Sequence, residues 1–241
     1  MSEEMIRLNK FLSEKGICSR READRLVESG KVKVNGVTAT LGMKVSPEDD
    51  IVVDGKPVSR KQVKPVLLAV NKPVGVVCTT ASFPGEVNIV DMVKYPTRIY
   101  PIGRLDKDSE GLILMTNQGD LVNEILRSSK DHEKEYIVTV NHQVTESFLK
   151  KMREGVELPE LNAVTKPCAC TKTGNREFRI ILKQGLNRQI RRMCEALGYH
   201  VESLKRIRIM NIKLGNLPLG NFRNVTDAEF LQMLNQFDEE E

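Results

Sequence analysis

Apolar positions recur with a helical period near the start of the chain and mostly with a strand period after Pro65. Leu8, Phe11 and Leu12 share one side of the segment from Arg7 to Lys15, which predicts a short helix with Gly16 as its C′ residue. Ser19, followed three residues later by Glu22, is a capping box. The helix it opens turns Ala23, Leu26 and Val27 inward and ends at Gly30. Val32-Lys33-Val34 runs into Asn35-Gly36, and Ile51-Val52-Val53 into Asp54-Gly55. Each is a short strand followed by a tight-turn pair, so a small sheet is expected beside the two helices. The polar stretch from Ser59 to Lys64 reads as a linker.

Beyond the linker the chain is β-rich. Val66 to Val70 predicts a strand, Asn71-Lys72-Pro73 a turn, and Gly75 to Cys78 another strand. Gly111 to Met115 is an apolar strand, Glu135 to Val140 sets Tyr136, Val138 and Val140 against Ile137 and Thr139, and Arg176 to Lys183 alternates likewise. Helices are expected at Asp120 to Arg127, with Leu121, Ile125 and Leu126 inward, and from a Thr145 cap through Arg153, closed by Gly155. Two more follow, from an Asn187 cap to Leu197 and after the Thr226/Glu229 capping box. Strands outnumber helices and do not alternate regularly with them, which predicts an α+β fold with a largely antiparallel sheet. The expected division is a small unit at 1–58, a linker at 59–64 and a larger domain at 65–241.

Composition narrows the function classes. Of 241 residues, 40% are hydrophobic and 29% charged, as in an ordinary globular chain. With 5% aromatics and no Trp, a surface of many stacked bases is not expected. The five cysteines lack C-x-x-C spacing and only three histidines accompany them, so no zinc site and no disulfide framework is expected. The start, MSEEMIRLNKF, has no apolar signal segment behind it, and the apolar runs are too short to span a bilayer. A cytoplasmic protein without membrane attachment is the expectation. The net charge of +4 understates local basicity, because the end from Asp238 to Glu241 is acidic.

Arg7, Lys10, Lys15, Arg20, Arg21, Arg25, Lys31 and Lys33 crowd into the first unit, and Arg21 and Arg25 share a helix face opposite its apolar side. A charged helix face is by default merely solvated; the alternative is a rigid surface for phosphates, favoured by counterion release. In the second domain, Gly103-Arg104-Leu105-Asp106-Lys107-Asp108-Ser109-Glu110-Gly111 is a polar loop between two glycines with an apolar strand behind it. By itself it is a charged surface turn, or a device that displays a carboxylate at a sheet edge. A calcium loop is excluded, because the twelfth position is Asn117 rather than a bidentate Glu.

The order helix, S-R-R-E-A helix, V-K-V-N-G hairpin, from about Arg7 to Asp54, resembles the small alpha-L RNA-binding domain. Gly103 to Asn117 resembles the G-R-L-D signature of RNA pseudouridine synthases, in the branch that includes RsuA, RluB and RluF. Asn71-Lys72-Pro73-Val74-Gly75 matches that family's N-K-P-x-G turn, Lys134-Glu135-Tyr136 its K-x-Y strand, and Gly185 to Met193 its G-x-x-R-Q-I-R-R-M helix. The wording of Gly103 to Asp120, Asp131 to Val140 and Arg206 to Asn211 is most like the RluF type within that branch.

The resemblance implies isomerisation of a uridine in folded RNA, by breaking the bond from ribose C1′ to base N1, turning the base, and joining C5 to C1′. No redox step is involved, so no cofactor and no metal are implied. Asp106 is the implied catalytic carboxylate, attacking the sugar or taking a ribose proton, and a nucleophile that stays ionised while partly desolvated calls for a cation beside it. On the helix from Asn187, Ile190, Met193, Cys194 and Leu197 form the expected buried stripe, with Arg188, Arg191, Arg192 and Glu195 opposite. Arg191 is expected to pair with Asp106, and Arg188 and Arg192 to contact RNA phosphates. Tyr136, by default a core residue of its strand, is raised by the match to a base-stacking and proton-transfer role. Arg104 is implied to fill the gap left by the extruded nucleotide. Lys72 and Asn71 are weaker RNA-contact candidates, with Arg7, Lys10, Arg20, Arg21, Arg25 and Lys33 as the contacts of the small domain. The implied partner is ribosomal RNA, chiefly of the large subunit, with transfer RNA as the alternative, and the default state is a monomer. Two competing readings are a non-catalytic RNA-binding protein using the first unit alone, and an RNA methyltransferase. The latter lacks any G-x-G-x-x-G opening a βαβ unit.

Overall fold

The two hairpins of the first unit close as their residue pairs require: Asn35-Gly36 and Asp54-Gly55 all take positive φ, which joins strands of right-handed twist. The protein is described here from a computed structural model that covers residues 5–59, 63–126 and 132–238. Part of the expected linker, Arg127 of an expected helix, Asp131, and the acidic residues 239–241 lie outside the described residues. Two compact units result, one of residues 1–65 with 117–119 and one of 66–116 with 120–241. No helix among the described residues is long and apolar enough to cross a membrane.

The first unit contains β1 (Ile6–Arg7), α1 (Leu8–Glu14), α2 (Arg20–Glu28), β2 (Val32–Val34), β3 (Val37–Thr38), β4 (Lys44–Val45), β5 (Ile51–Val53) and β6 (Lys56–Pro57). The strands run β3-β2-β5-β6 in one sheet, with β1 paired to β4. Ser19 accepts the Glu22 amide at 3.1 Å to start α2, while the Glu22 carboxylate pairs with Arg25 at 2.8 Å. Leu8, Phe11, Leu12, Ala23, Val27, Val32 and Ile51 form its core.

The second unit contains β7 (Leu67–Lys72), α3 (Ile89–Val93), β8 (Tyr100–Ile102), β9 (Glu110–Thr116), α4 (Gly119–Leu126), β10 (Lys134–Val140), α5 (Glu146–Glu154), β11 (Glu157–Leu158), β12 (Ala163–Val164), β13 (Ala169–Gly174), β14 (Glu177–Leu182), α6 (Gln189–Ala196), β15 (Val201–Ile209), β16 (Ile212–Lys213), β17 (Phe222–Asn224) and α7 (Asp227–Asp238). A nine-stranded sheet has the order β13-β14-β10-β15-β9-β7-β17, with β16 beside β15 and β8 beside β9. Its pairings are antiparallel except that of β15 with β9, so the class is α+β with a mixed, mostly antiparallel sheet.

Alternation along β9 divides the interior between two cores. Ile113 and Met115 join Val138, Phe148, Ile180, Ile190 and Met193 on one face; Leu112 and Leu114 join Leu121, Ile125, Met233 and Phe237 on the other. Both faces of the strand are therefore covered, and its residues read as a continuous apolar run. Thr145 caps α5 by accepting the Phe148 amide at 3.1 Å, and the Thr226/Glu229 box closes in both directions at 3.2 and 2.9 Å.

Three local expectations are corrected. The predicted turn at Asn71-Lys72 is the end of β7, and the predicted strand at Gly75 to Cys78 is reduced to an isolated bridge between Val77 and Asn88. Leu126, expected inward on α4, is exposed. The helix expected from Asn187 begins at Gln189, because Arg188 takes a left-handed backbone at φ 50° and acts as its N-cap.

Candidate active site

The loop between β8 and β9 is pinned on both sides of Asp106. Leu105 is buried and its amide donates to the Cys78 thiol at 3.4 Å; Ser109, also buried, donates its amide to the Asp106 carbonyl at 3.1 Å. Gly75 donates its amide to the Lys107 carbonyl at 2.7 Å, and the Lys107 ammonium pairs with Glu86 at 2.8 Å. The carboxylate of Asp106 is thus carried on a fixed backbone. Its side chain keeps 34% of its exposure and lines a cavity of about 440 Å³.

The cavity is cationic. Arg104, Lys134, Lys183, Arg188, Arg191 and Arg206 line it, with Asp106 as the carboxylate among them, and Tyr136, Leu105, Leu186, Ile190 and Leu204 contribute ring and apolar wall. From its left-handed N-cap position, Arg188 places Nη1 3.5 Å from Asp106 Oδ2, and its Nη1 and Nη2 donate to Asp108 at 3.4 and 3.1 Å. Arg191 Nη2 lies 3.4 Å from Asp108 Oδ2 and donates to the Asp108 carbonyl at 2.9 Å and the Ser109 hydroxyl at 3.2 Å; Nη1 donates to the Val201 carbonyl at 3.3 Å.

The expected pair of Arg191 with Asp106 is therefore replaced by Arg188 with Asp106. Because α6 starts at Gln189, its buried side includes Gln189 and Arg191 together with Ile190, Met193 and Cys194. Arg191 is only 7% exposed, and there the Asp108 and Val201 carbonyls accept from its Nη atoms. Arg192, expected at phosphates, turns outside the cavity to pair with Glu160 at 2.7 Å and to donate to the Asn187 carbonyl at 3.0 Å.

Comparison with known proteins fits this geometry. Residues 66–196 match the family described as RNA pseudouridylate synthase, and residues 6–51 match the S4 domain. The chain is 53% identical to the dual-specificity RNA pseudouridine synthase RluF of Escherichia coli (strain K12), over 97% of this chain and 80% of that protein. This chain belongs to the RNA pseudouridylate synthase family. It is 38% identical to the ribosomal large subunit pseudouridine synthase B of Bacillus subtilis (strain 168), over 93% of this chain and 94% of that one. A solved structure described as a pseudouridylate synthase superposes with a TM-score of 0.70 at 28% identity, covering 95% and 99% of the two chains. The protein is an RNA pseudouridine synthase, an isomerase of uridine in RNA, with an RNA-binding S4 domain ahead of its catalytic domain.

Within this pseudouridine synthase, Tyr136 is half-buried on β10, opposite Arg206 on β15 and Ile180 on β14, and its ring is part of the cavity wall. Arg104 is exposed at the cavity, and its carbonyl accepts from Arg206 Nη1 at 3.5 Å. Lys72 and Asn71, expected as RNA contacts, are buried. Lys72 is 0% exposed and its ammonium donates to the carbonyls of Pro73 and Val76 at 2.9 and 2.8 Å. Burial pushes its pKa below the ordinary lysine value, against the opposing pull of Cys78, Asp108 and Asp106. Asn71 is buried and donates to the Leu217 carbonyl at 2.8 Å. Both follow from the continuation of β7 through the residue before Pro73, an extended conformation that proline favours.

In the S4 domain, Arg7, Arg20, Arg21, Arg25, Lys31 and Lys33 are exposed and Lys10 and Lys15 half-buried. Lys10 pairs with Glu14 at 3.6 Å and the Lys15 ammonium sits 5.4 Å from the Phe11 ring centroid.

Three cavity cations, Arg206, Lys134 and Lys183, received no role from sequence reasoning. Arg206, 4% exposed, donates through Nε to the Leu112 carbonyl at 2.6 Å and so ties β15 to the base of the loop that carries Asp106. Lys134, lowered in pKa by burial and then by the charge of Arg206, lies two residues before Tyr136 on β10. Period-two alternation from Tyr136 was the signal that could have placed Lys134 on the same face.

Proposed function

We propose that this enzyme isomerises a uridine of large-subunit ribosomal RNA, with Asp106 as the catalytic carboxylate. The observation that carries the reading is the position of Asp106 on a pinned loop, in a cavity otherwise lined by cations, with Arg188 3.5 Å away. A target uridine leaves its helix to enter, since its reacting atoms are otherwise inaccessible. Tyr136 stacks on the base, and Arg104 at the rim takes up the vacated space. The bond from C1′ to N1 breaks, the base turns, and C5 bonds to C1′. The C5 hydrogen leaves as a proton and N1 gains one. Asp106 acts on the ribose, either at C1′ or on a ribose proton, and Arg188 supports its charge. Lys183 and Arg188 at the cavity, with Arg7, Lys10, Arg20, Arg21, Arg25 and Lys33 of the S4 domain, contact phosphates.

The name of the Bacillus relative, a ribosomal large subunit pseudouridine synthase, supports the ribosomal target. A second reading, one further RNA target such as a transfer RNA, is favoured by the words dual-specificity in the name of the Escherichia relative. The same proposal includes a cytoplasmic monomer whose small domain ends near residue 58, with residues 59–64 as linker. The test is a chemical map of pseudouridines across total RNA from cells with and without the gene. A missing site in large-subunit RNA supports the reading, an additional missing site in transfer RNA supports the second, and an unchanged map refutes both.

A further inference from the structure

Asp106 and Asp108 stand on one loop, and two arginines, one capping α6 and one within it, face them unequally. Arg188 holds Asp108 with both Nη atoms, at 3.4 and 3.1 Å, but meets Asp106 through one, at 3.5 Å. Arg191 reaches Asp108 from the buried side at 3.4 Å, and bonds its carbonyl as well. Asp108 is therefore shared between two guanidinium groups although its own side chain is 49% exposed. Partial burial pushes its carboxyl upward, but the Arg188 hydrogen bond and the charges of Arg191 and Arg188 outweigh this and hold it below the ordinary range. The Arg188 guanidinium is raised in turn, first by its hydrogen bond to Asp108. Arg188 also sits in a left-handed backbone that a non-glycine residue adopts at a cost, the kind of strain kept where position matters.

The isomerisation uses one acid, so the second needs a reason. An arginine facing a lone carboxylate closes on it as a two-point fork, the strongest arrangement available to the pair. A carboxylate so clamped keeps its charge but has its oxygens occupied. We propose, resting on the reading of Asp106 as the catalytic carboxylate, that Asp108 is a positioning residue that draws the Arg188 fork onto itself. Arg188 then supports Asp106 from one side at 3.5 Å without closing on it. Asp108 acts through Arg188 and does not touch the substrate.

The test is single-turnover release of tritium from ribosomal RNA labelled at uridine C5, prepared from cells lacking the enzyme. Asp108→Asn keeps the size of the side chain and removes the charge. The rate at saturating RNA is expected to fall roughly ten- to a hundredfold, as for a misplaced catalytic group. KM should stay the same or decrease, because the exposed Arg188 gains charge available to phosphates. In an Arg188→Gln background the same change is expected to alter the rate less than about twofold, since the residue it acts through is gone. Asp108→Glu, which keeps the charge, should recover most of the rate. An equal loss in both backgrounds, a risen KM, or a wild-type rate in Asp108→Asn would overturn the proposal. Should Asp108→Asn fail to fold, Arg188→Lys carries the test, because an ammonium cannot fork onto Asp108 and still face Asp106. A reduced rate at unchanged KM supports the proposal and a wild-type rate refutes it. Activity of Asp106→Asn would instead sink the reading of Asp106 itself, whatever Asp108 does.

Discussion

Gly111 and Arg206 face each other across the parallel pairing of β9 and β15, closer than any side chain on the glycine would permit. A Cβ at Gly111 would fall 2.8 Å from the Arg206 amide nitrogen and nearer still to its carbonyl oxygen, and the glycine takes φ +105°. That approach joins the two antiparallel halves of the sheet at the base of the loop that carries Asp106, where Arg206 bonds the carbonyls of Leu112 and Arg104. Gly111→Ala is therefore expected to destabilise the enzyme by about 2–4 kcal/mol, combining backbone strain with overpacking. A denaturant titration checks this, and a midpoint equal to that of the wild type contradicts it.

Arg188, the N-cap of α6, and Arg191 within the helix should separate stability from catalysis. Arg191 is buried and bonded to the carbonyls of Asp108 and Val201, so Arg191→Met is expected to cost about 2–4 kcal/mol, leaving those groups without their donor. Arg188 is exposed and strained at φ 50°. Arg188→Asn, a residue that takes this conformation more readily, should leave stability within about 1 kcal/mol of the wild type while the turnover rate falls. Thermal melts beside rate measurements distinguish the two.

What was legible in the sequence was what local signals carry. The capping residues Ser19, Thr145 and Thr226, the turns at Asn35-Gly36 and Asp54-Gly55, and the apolar run of β9 announce their elements without reference to distant parts of the chain. The loop bearing Asp106 was legible as a motif. Its counter-ion was not, because the choice between Arg188 and Arg191 depends on where α6 begins. That start is set by a left-handed arginine, a conformation its residue type rarely signals. Lys72 was misplaced for a related reason: a lysine before proline reads as an exposed turn, and only the folded chain supplies the carbonyls of Pro73 and Val76 that let its ammonium be buried. Arg206 and Asp108 became visible only when three elements met around one cavity and its loop.

Tyr136 offers a ring and a hydroxyl that can be tested apart. Tyr136→Phe keeps the stacking surface and should leave RNA affinity unchanged, whereas Tyr136→Leu is expected to weaken binding by roughly 1–3 kcal/mol, the worth of one stacked base. Equal affinities for the two variants, in a filter or fluorescence titration, would remove the ring from RNA recognition.

Arg20 and Arg21 are exposed at the start of α2 in the S4 domain. Reversing both to Glu should weaken RNA binding and reduce the slope of log K against log salt by about 1–2, if each reaches one phosphate. The rate at saturating RNA should hold, since neither residue lines the catalytic cavity. An unchanged slope would mean that this face is only solvated.

The central claim concerns one oxygen-bearing side chain, and a near-isosteric change tests it. Asp106→Asn should bind ribosomal RNA as the wild type does, and in single-turnover assays it should release C5 tritium at least about a thousandfold more slowly. A variant that binds normally and turns over within about tenfold of the wild type, a difference of only about 1.4 kcal/mol in the barrier, would show that the isomerisation runs without this carboxylate.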